Sequence, residues 1–509
     1  QVASFAMVLR TIYMVKRKET LGRELTWAFD SPQLLIVPRA GEAANAFYHR
    51  DGRCLQFFYL PDAVNGKPMY TCLSRDIVAH ETGHAIIDSI APDLLDACTP
   101  QSLAIHEALA DLTACLMAFE SHTLREMLLK ELGGSIINSS LFSSIAEEFG
   151  DLLGHRYGLR NLNNEKNLDP NDKKNGVSST EPHELSEVLS GALYKVLLCI
   201  YKDLIKKYEE EKRERLRIDI AAQWDVVGTI PKKEKLSDYG YALAKTIERF
   251  QRMIFRGLDY LPPGEVTFAD YARAMIAVDR VAYAKDDKMR NWIRNEFLER
   301  KIISDLRALD IRKRFDHSIL ADVNIENLCS SDWVAYWFAN KYGHELFIPP
   351  GVVFEVRPRL LLKKKYDERD KVPELLFKVS WQHEEELDLG SKYPKYLRYP
   401  VGTTLAIDWE RKEIVALLTN APPTGKPFKR GELRRRKIRQ DEFKHQKKKR
   451  EEFLRSLVKR DLLKRGSNAI DHNGKPLLSV IQADVSGGRL RVRGAGKLFH
   501  IIDEERKES

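Results

Sequence analysis

Arg75-Asp76-Ile77-Val78-Ala79-His80-Glu81-Thr82-Gly83-His84-Ala85-Ile86-Ile87-Asp88-Ser89 is the stretch around which the chain organises itself. Ile77, Val78, Ala79, Ala85 and Ile86 recur at helical spacing and Gly83 is the one weak helix former, so the segment reads as a buried helix. On that helix His80 and His84 lie one turn apart, and their ring nitrogens can converge on one cation. The pair suits zinc, which takes nitrogen and oxygen ligands tetrahedrally and, at a catalytic site, uses three protein ligands and leaves a place for water. Glu107 is the expected third ligand, on a second helix in His106-Glu107-Ala108-Leu109-Ala110-Asp111. Asp111 follows it by one turn on the same face, where a carboxylate can orient a ligand imidazole. Water polarised by such an ion loses its proton near neutral pH, and Glu81, beside the first ligand, is the expected base. An isolated HExxH match also arises by chance among packed or surface histidines; here the second helix accompanies it.

Working outward, Leu34 to Leu60 alternates short apolar runs with turn formers, including Asp51-Gly52, and reads as strands with a hairpin-like turn. Gln101 to Glu120 and His183 to Tyr201 carry the helical period, and the polar stretch Asn161 to Thr180 reads as a loop. Helical patterns continue through Tyr239 to Leu258 and Phe268 to Glu299. Beyond a boundary near Ile303, runs such as LLFKVSW, TLAIDW, IVALLTN, LLSVIQADV and RLRVRG read as strands.

Asp76 to Asp88, followed by His106 to Asp111, resembles thermolysin and its relatives, the gluzincin metallopeptidases. Asn45-Ala46-Phe47-Tyr48 is similar to the edge-strand segment that holds the substrate backbone in that family, which implies substrate-binding roles for Asn45 and Ala46. His183-x-x-Ser186 with Tyr194 resembles the helix whose first histidine stabilises the tetrahedral intermediate. Leu159-Arg160 resembles the pair that lines the primed-side pocket and binds the substrate carbonyl, and Ile77 falls at another pocket-lining position.

The resemblance covers about residues 4–303. It implies an α+β fold: a two-lobed thermolysin-like metalloprotease domain over 1–303, with a sheet-containing lobe and active-site helix in 1–90 and a helical lobe in 91–303. A mixed α/β region, 304–509, follows and resembles no family. The implied activity is zinc-dependent endopeptidase cleavage of a peptide or protein substrate, one zinc per chain, with Glu81 and His183 catalytic and an apolar side chain preferred just after the scissile bond. An extended peptide would lie in the cleft by strand addition.

Three positions depart from the family pattern. No tyrosine occurs between Ala85 and His106, where a second donor to the oxyanion is expected. Ser178 stands where an acidic partner of His183 is expected, with Glu181 as a substitute. Ala118 stands where a glutamate of the structural calcium site is expected, so calcium is not predicted although Asp76 is present. The missing tyrosine leaves open a catalytically weak or inactive metal-binding regulatory protein.

At 509 residues, with 43% hydrophobic and 31% charged content, the chain is long enough for two to four folded units. No membrane span is expected: the best apolar run, Val196 to Tyr201, is short. Six cysteines without a C-x-x-C pair read as reduced core residues and favour a cytoplasmic setting, and the opening Gln1 reads as a processed or truncated start. Lys426 to Arg465 holds 18 Lys/Arg against 6 Asp/Glu, a net of +12 that exceeds the whole chain's +9, so basicity is confined to this segment. Read as a basic helical insertion, 426–465 can be a solvated helix or flexible arm, or can draw an anionic partner or nucleic acid.

Overall fold

The computed structural model describes residues 1–43, 45–61, 68–97, 99–120, 144–145, 160–222, 238–311, 315–366, 369–423, 430–459, 463–465, 481–486 and 488–494. The chain opens with helix α1 (Val2–Lys16), which buries Val8, Met14 and Val15; its Ser4 hydroxyl donates to the Cys72 carbonyl at 2.9 Å. Strands β1 (Leu35–Val37), β2 (Ala46–His49) and β3 (Cys54–Phe57) form a sheet in the order β1-β3-β2. The pair β2 and β3 is antiparallel, joined through Asp51-Gly52. Glycine is needed at that turn because a Cβ on Gly52 would stand 2.6 Å from His49 Nδ1. A small antiparallel pair, β4 (Tyr59–Pro61) and β5 (Pro68–Tyr70), leads into the helical part.

Helix α2 (Arg75–Ile90) is buried over almost its whole length, as its apolar pattern requires. After the short α3 (Asp93–Asp96), helix α4 (Pro100–Phe119) starts with proline in its first turn, where the missing N–H costs nothing. By length and composition α4 is able to cross a membrane, which Val196 to Tyr201 is not, but 94% of that window is buried inside the protein. Packing of α2 on α4 turns on Gly83: a Cβ there would meet Ala110 Cα and Thr113 Cβ, each at 3.1 Å. The glycine that weakens α2 locally lets the two helices approach.

Short strands β6 (Ser144–Ile145) and β7 (Arg160–Asn161) pair before helix α5 (Pro182–Ala222), which packs on α4. This helix runs well past Tyr201, where the apolar period ends. Helix α6 (Asp238–Tyr260) follows, and Phe268 to Glu299 is two helices, α7 (Phe268–Ala282) and α8 (Lys288–Glu299). The Asp286 side chain accepts from Lys288 N–H at 3.1 Å and starts the second of them, an Asx turn that breaks the apparent continuity. A reciprocal capping box between Thr267 and Asp270 fixes the start of α7.

Beyond Ile303 the chain first makes short helical turns, then α9 (Ile325–Ser330) and α10 (Asp332–Lys341), before the strands begin. Strands β8 (Phe354–Val356), β9 (Leu360–Tyr366), β10 (Arg369–Glu386), β11 (Tyr396–Asp408), β12 (Glu413–Thr419), β13 (Leu463–Arg465), β14 (Ile481–Ser486) and β15 (Arg489–Gly494) form one sheet. Its spine is the antiparallel pair β10 and β11, in register from Glu374 opposite Asp408 to Glu386 opposite Tyr396. The architecture is mixed α/β.

Helix α11 (Arg430–Lys459) carries most of the basic segment and is not a free arm. It buries Arg450, Phe453, Leu454 and Leu457 against the sheet and leaves Lys437, Lys444 and Lys448 exposed. Arg450 bonds Glu265, just ahead of α7, and Glu385 on β10, so the helix is pinned where sheet and helical part meet. A second buried network ties the N-terminal segment to both: Arg23 and Lys364 converge on Asp259, and Lys364 reaches Glu374 at 3.2 Å. Burial raises Asp259, but the two cations outweigh it and hold the carboxyl below its usual range. Cys54, Cys72, Cys115, Cys199 and Cys329 are not disulfide-bonded, and Cys98 lies outside the described residues.

Candidate metal centre

Helix α2 presents His80 and His84 from one face, with their Nε2 atoms 3.0 Å apart. The close crossing at Gly83 brings Glu107 of α4 opposite them: its carboxylate lies 3.6 Å from His80 Nε2 and 3.5 Å from His84 Nε2. One ligand atom from each of the three residues lies within 4.8 Å of the others, and all three side chains are buried. Neither oxygen of Glu107 accepts a hydrogen bond among the described residues, although the residue is fully buried. A carboxylate taken out of water without donors is costly unless a cation faces it. Two imidazole nitrogens and that carboxylate are a donor set that fits a metal ion.

The groups behind the triangle orient it. His80 Nδ1 lies 2.9 Å from Asp111 Oδ1, in keeping with the place of Asp111 one helical turn beyond Glu107. His84 is backed by a residue whose role the motifs did not reveal: His106 Nδ1 lies 2.7 Å from His84 Nδ1, with the ring planes 24° apart. Burial, with Arg50 adding to it, lowers His106 to about 3, so it is neutral and can accept the Nδ1 proton of His84. The only sequence signal for this was its place directly before Glu107.

Glu81 is buried beside His80, and its Oε2 accepts the backbone N–H of Tyr48 at 2.8 Å. Thus β2 approaches α2 at the residue expected to move protons. His183 stands at the start of α5 with its Nε2 3.4 Å from Glu107 Oε1, on the rim of the triangle and not in it. Its Nδ1 lies 2.7 Å from Glu181 Oε1, so the substitute acid is the one in place while Ser178 is exposed. Burial raises Glu181, but His183 and the Glu184 backbone N–H outweigh it and hold it down to about 2.

The remaining expected residues are less uniformly placed. Asn45 folds its Oδ1 back to the N–H of Ala46 at 2.8 Å, and Ala46 opens β2, which is the end strand of its sheet. Ile77 is buried in the first turn of α2. Arg160 lies in β7, and Leu159 falls outside the described residues.

No family model matches the chain, and no curated protein matches it either.

Proposed function

We propose that the chain is a zinc-dependent endopeptidase with a thermolysin-like arrangement of a sheet-containing lobe and a helical lobe about the His80, His84 and Glu107 triangle. The observation that carries the reading is the shape of that triangle with Glu81 beside it. Bonds of about 2.0–2.1 Å in a tetrahedron place ligand atoms about 3.3 Å apart; here the two Nε2 atoms are 3.0 Å apart, and Glu107 sets Oε2 at 3.6 Å from His80 and Oε1 at 3.5 Å from His84. When bound there, zinc would polarise a water and the scissile carbonyl.

The chain's own groups supply the rest. Glu81, with one oxygen engaged by Tyr48 N–H, takes the proton from the water with the other and delivers it to the leaving amine. His183, held by Glu181, donates through Nε2 to the developing oxyanion. Strand β2 ends its sheet, and the resemblance gives Asn45 and Ala46 the pairing with an extended peptide backbone, Arg160 the substrate carbonyl, and Ile77 and Leu159 the apolar pocket.

Because no tyrosine lies between Ala85 and His106, a second oxyanion donor is missing there, and losing one donor costs about 10²–10³ in rate. This favours, as the second reading, a metal-binding regulatory protein with little turnover. The exposed lysines of α11 leave room for a third element, attraction to an anionic partner or nucleic acid, which salt would weaken. The deciding experiment is cleavage of a mixed peptide library by the purified chain and by Glu81→Gln, each shown to carry one zinc. Cleavage by the parent alone supports the peptidase. Silence from both, with zinc bound, overturns it in favour of the regulatory reading.

A further inference from the structure

Glu81 and Asp88 are seven residues apart on α2, two turns, so both face the same neighbour. That neighbour is β2 and the residue that follows it. Tyr48 donates twice across the gap, by its backbone N–H to Glu81 at 2.8 Å and by its hydroxyl to Asp88 Oδ2 at 2.7 Å. Arg50 forks onto both oxygens of Asp88, reaches Asp96 Oδ1 at 2.7 Å with Nη1, and meets the Pro92 carbonyl at 2.9 Å with Nη2. Tyr48, Arg50 and Asp88 are all buried, and none touches the triangle of metal-binding groups.

A fully buried carboxylate between a phenol and a guanidinium is a demanding arrangement, and removing either partner leaves a charge with little solvation. Its stiffness has a geometric effect. Strand β2 gains its fixed distance to α2 from Asp88, and the distance so fixed is that between Tyr48 N–H and Glu81. The strand begins at Ala46, directly after Asn45, so the same brace sets where a peptide lying along β2 would stand relative to the base.

We propose that Tyr48, Arg50 and Asp88 are positioning residues, a buried brace that holds Glu81 and the substrate-bearing strand in one fixed relation. The inference rests on the peptidase reading. It assigns Asp88 a purpose in turnover and none in metal binding.

The test is Tyr48→Phe in the full chain, which keeps the ring and the backbone N–H and deletes one hydroxyl. Misplacement of a reacting group by about 1 Å costs up to about 10²-fold, so kcat should fall by about tenfold or more while KM and zinc content stay at parental values. In combination with Glu81→Asp, the loss should be no greater than that of Glu81→Asp alone, since groups acting as one unit are not additive. If Tyr48→Phe does not fold, Arg50→Lys, which keeps the charge but cannot fork between Asp88 and Asp96, carries the same expectations. A parent that cleaves peptides while the folded variant matches its kcat, or a double variant whose losses multiply, overturns the brace alone. A parent that cleaves nothing overturns the peptidase reading and the brace's role in turnover with it.

Discussion

Gly83→Ala separates what α2 needs as a helix from what the site needs from α2. Alanine in a helix interior is favoured over glycine by about 1 kcal/mol. Against that, the new methyl would meet Ala110 Cα and Thr113 Cβ at 3.1 Å and Thr113 Oγ1 at 3.3 Å, so α4 must yield by a few tenths of an ångström. Overpacking of this kind costs about 1–3 kcal/mol, which leaves the metal-free fold between unchanged and about 2 kcal/mol weaker. Glu107 lies one turn before Ala110 and moves with it, and ligand distances tolerate only about 0.2 Å. Zinc affinity should therefore fall by about tenfold, or about 1.4 kcal/mol. Competition with a chromophoric chelator reads the affinity, and urea unfolding of the zinc-free chain reads the fold. If the variant binds zinc as tightly as the parent, the close crossing does not set the ligand triangle.

Two further outcomes follow from buried charge. Arg450→Met strands Glu265 and Glu385 without their cation and should cost about 3–5 kcal/mol in urea unfolding; a loss under about 1 kcal/mol would show that the two carboxylates find other compensation. Lys378 is lowered from its usual value to about 8, because desolvation, helped by Arg23 and Lys364, outweighs the pull of Asp259 and Asp93. A cation whose folded value lies below its unfolded value opposes folding at neutral pH and is relieved as pH rises from about 8 towards the ordinary lysine range near 10.4. Lys378→Met should thus be more stable than the parent at pH 7 and lose that advantage across this window; equal pH profiles for the two would contradict it.

The helices that hold the ligands were legible because apolar residues recur at helical spacing on both sides of the His80 to His84 run in α2 and along α4. Other elements were hidden for identifiable reasons. Residues 209–215 are all charged, so the apolar period fades after Tyr201 although the helix does not end there. The break at 283–287 rests on one Asx turn, and the short helices after Ile303 are below the length at which a period is visible. In the site, His80, His84, Glu107, Asp111 and Glu81 shared two local motifs, whereas His106 could be placed only once the two helices were seen to cross. The brace was invisible for the same reason: Tyr48 and Asp88 are 40 residues apart. No local pattern records a long-range pair such as Arg450 with Glu265, 185 residues apart.

The convergence of Arg23, Lys364 and Glu374 around Asp259 bears on how the protein comes apart. Arg23 follows α1, Asp259 ends α6 and Lys364 belongs to the sheet, so one buried ionic knot spans the amino-terminal arm, the helical part and the carboxy-terminal region. Opening the arm or α6 leaves an unbalanced buried charge behind, and opening the sheet takes Lys364 from Asp259, which discourages local fraying. Amide exchange near Asp259, Lys364 and Leu21 should then require a shared, subglobal opening, with common free energy across segments distant in the chain. A cut made to isolate residues 1–303 would divide a cooperative unit, leaving the buried Asp259 and Arg23 pair without the Lys364 contact on its other oxygen.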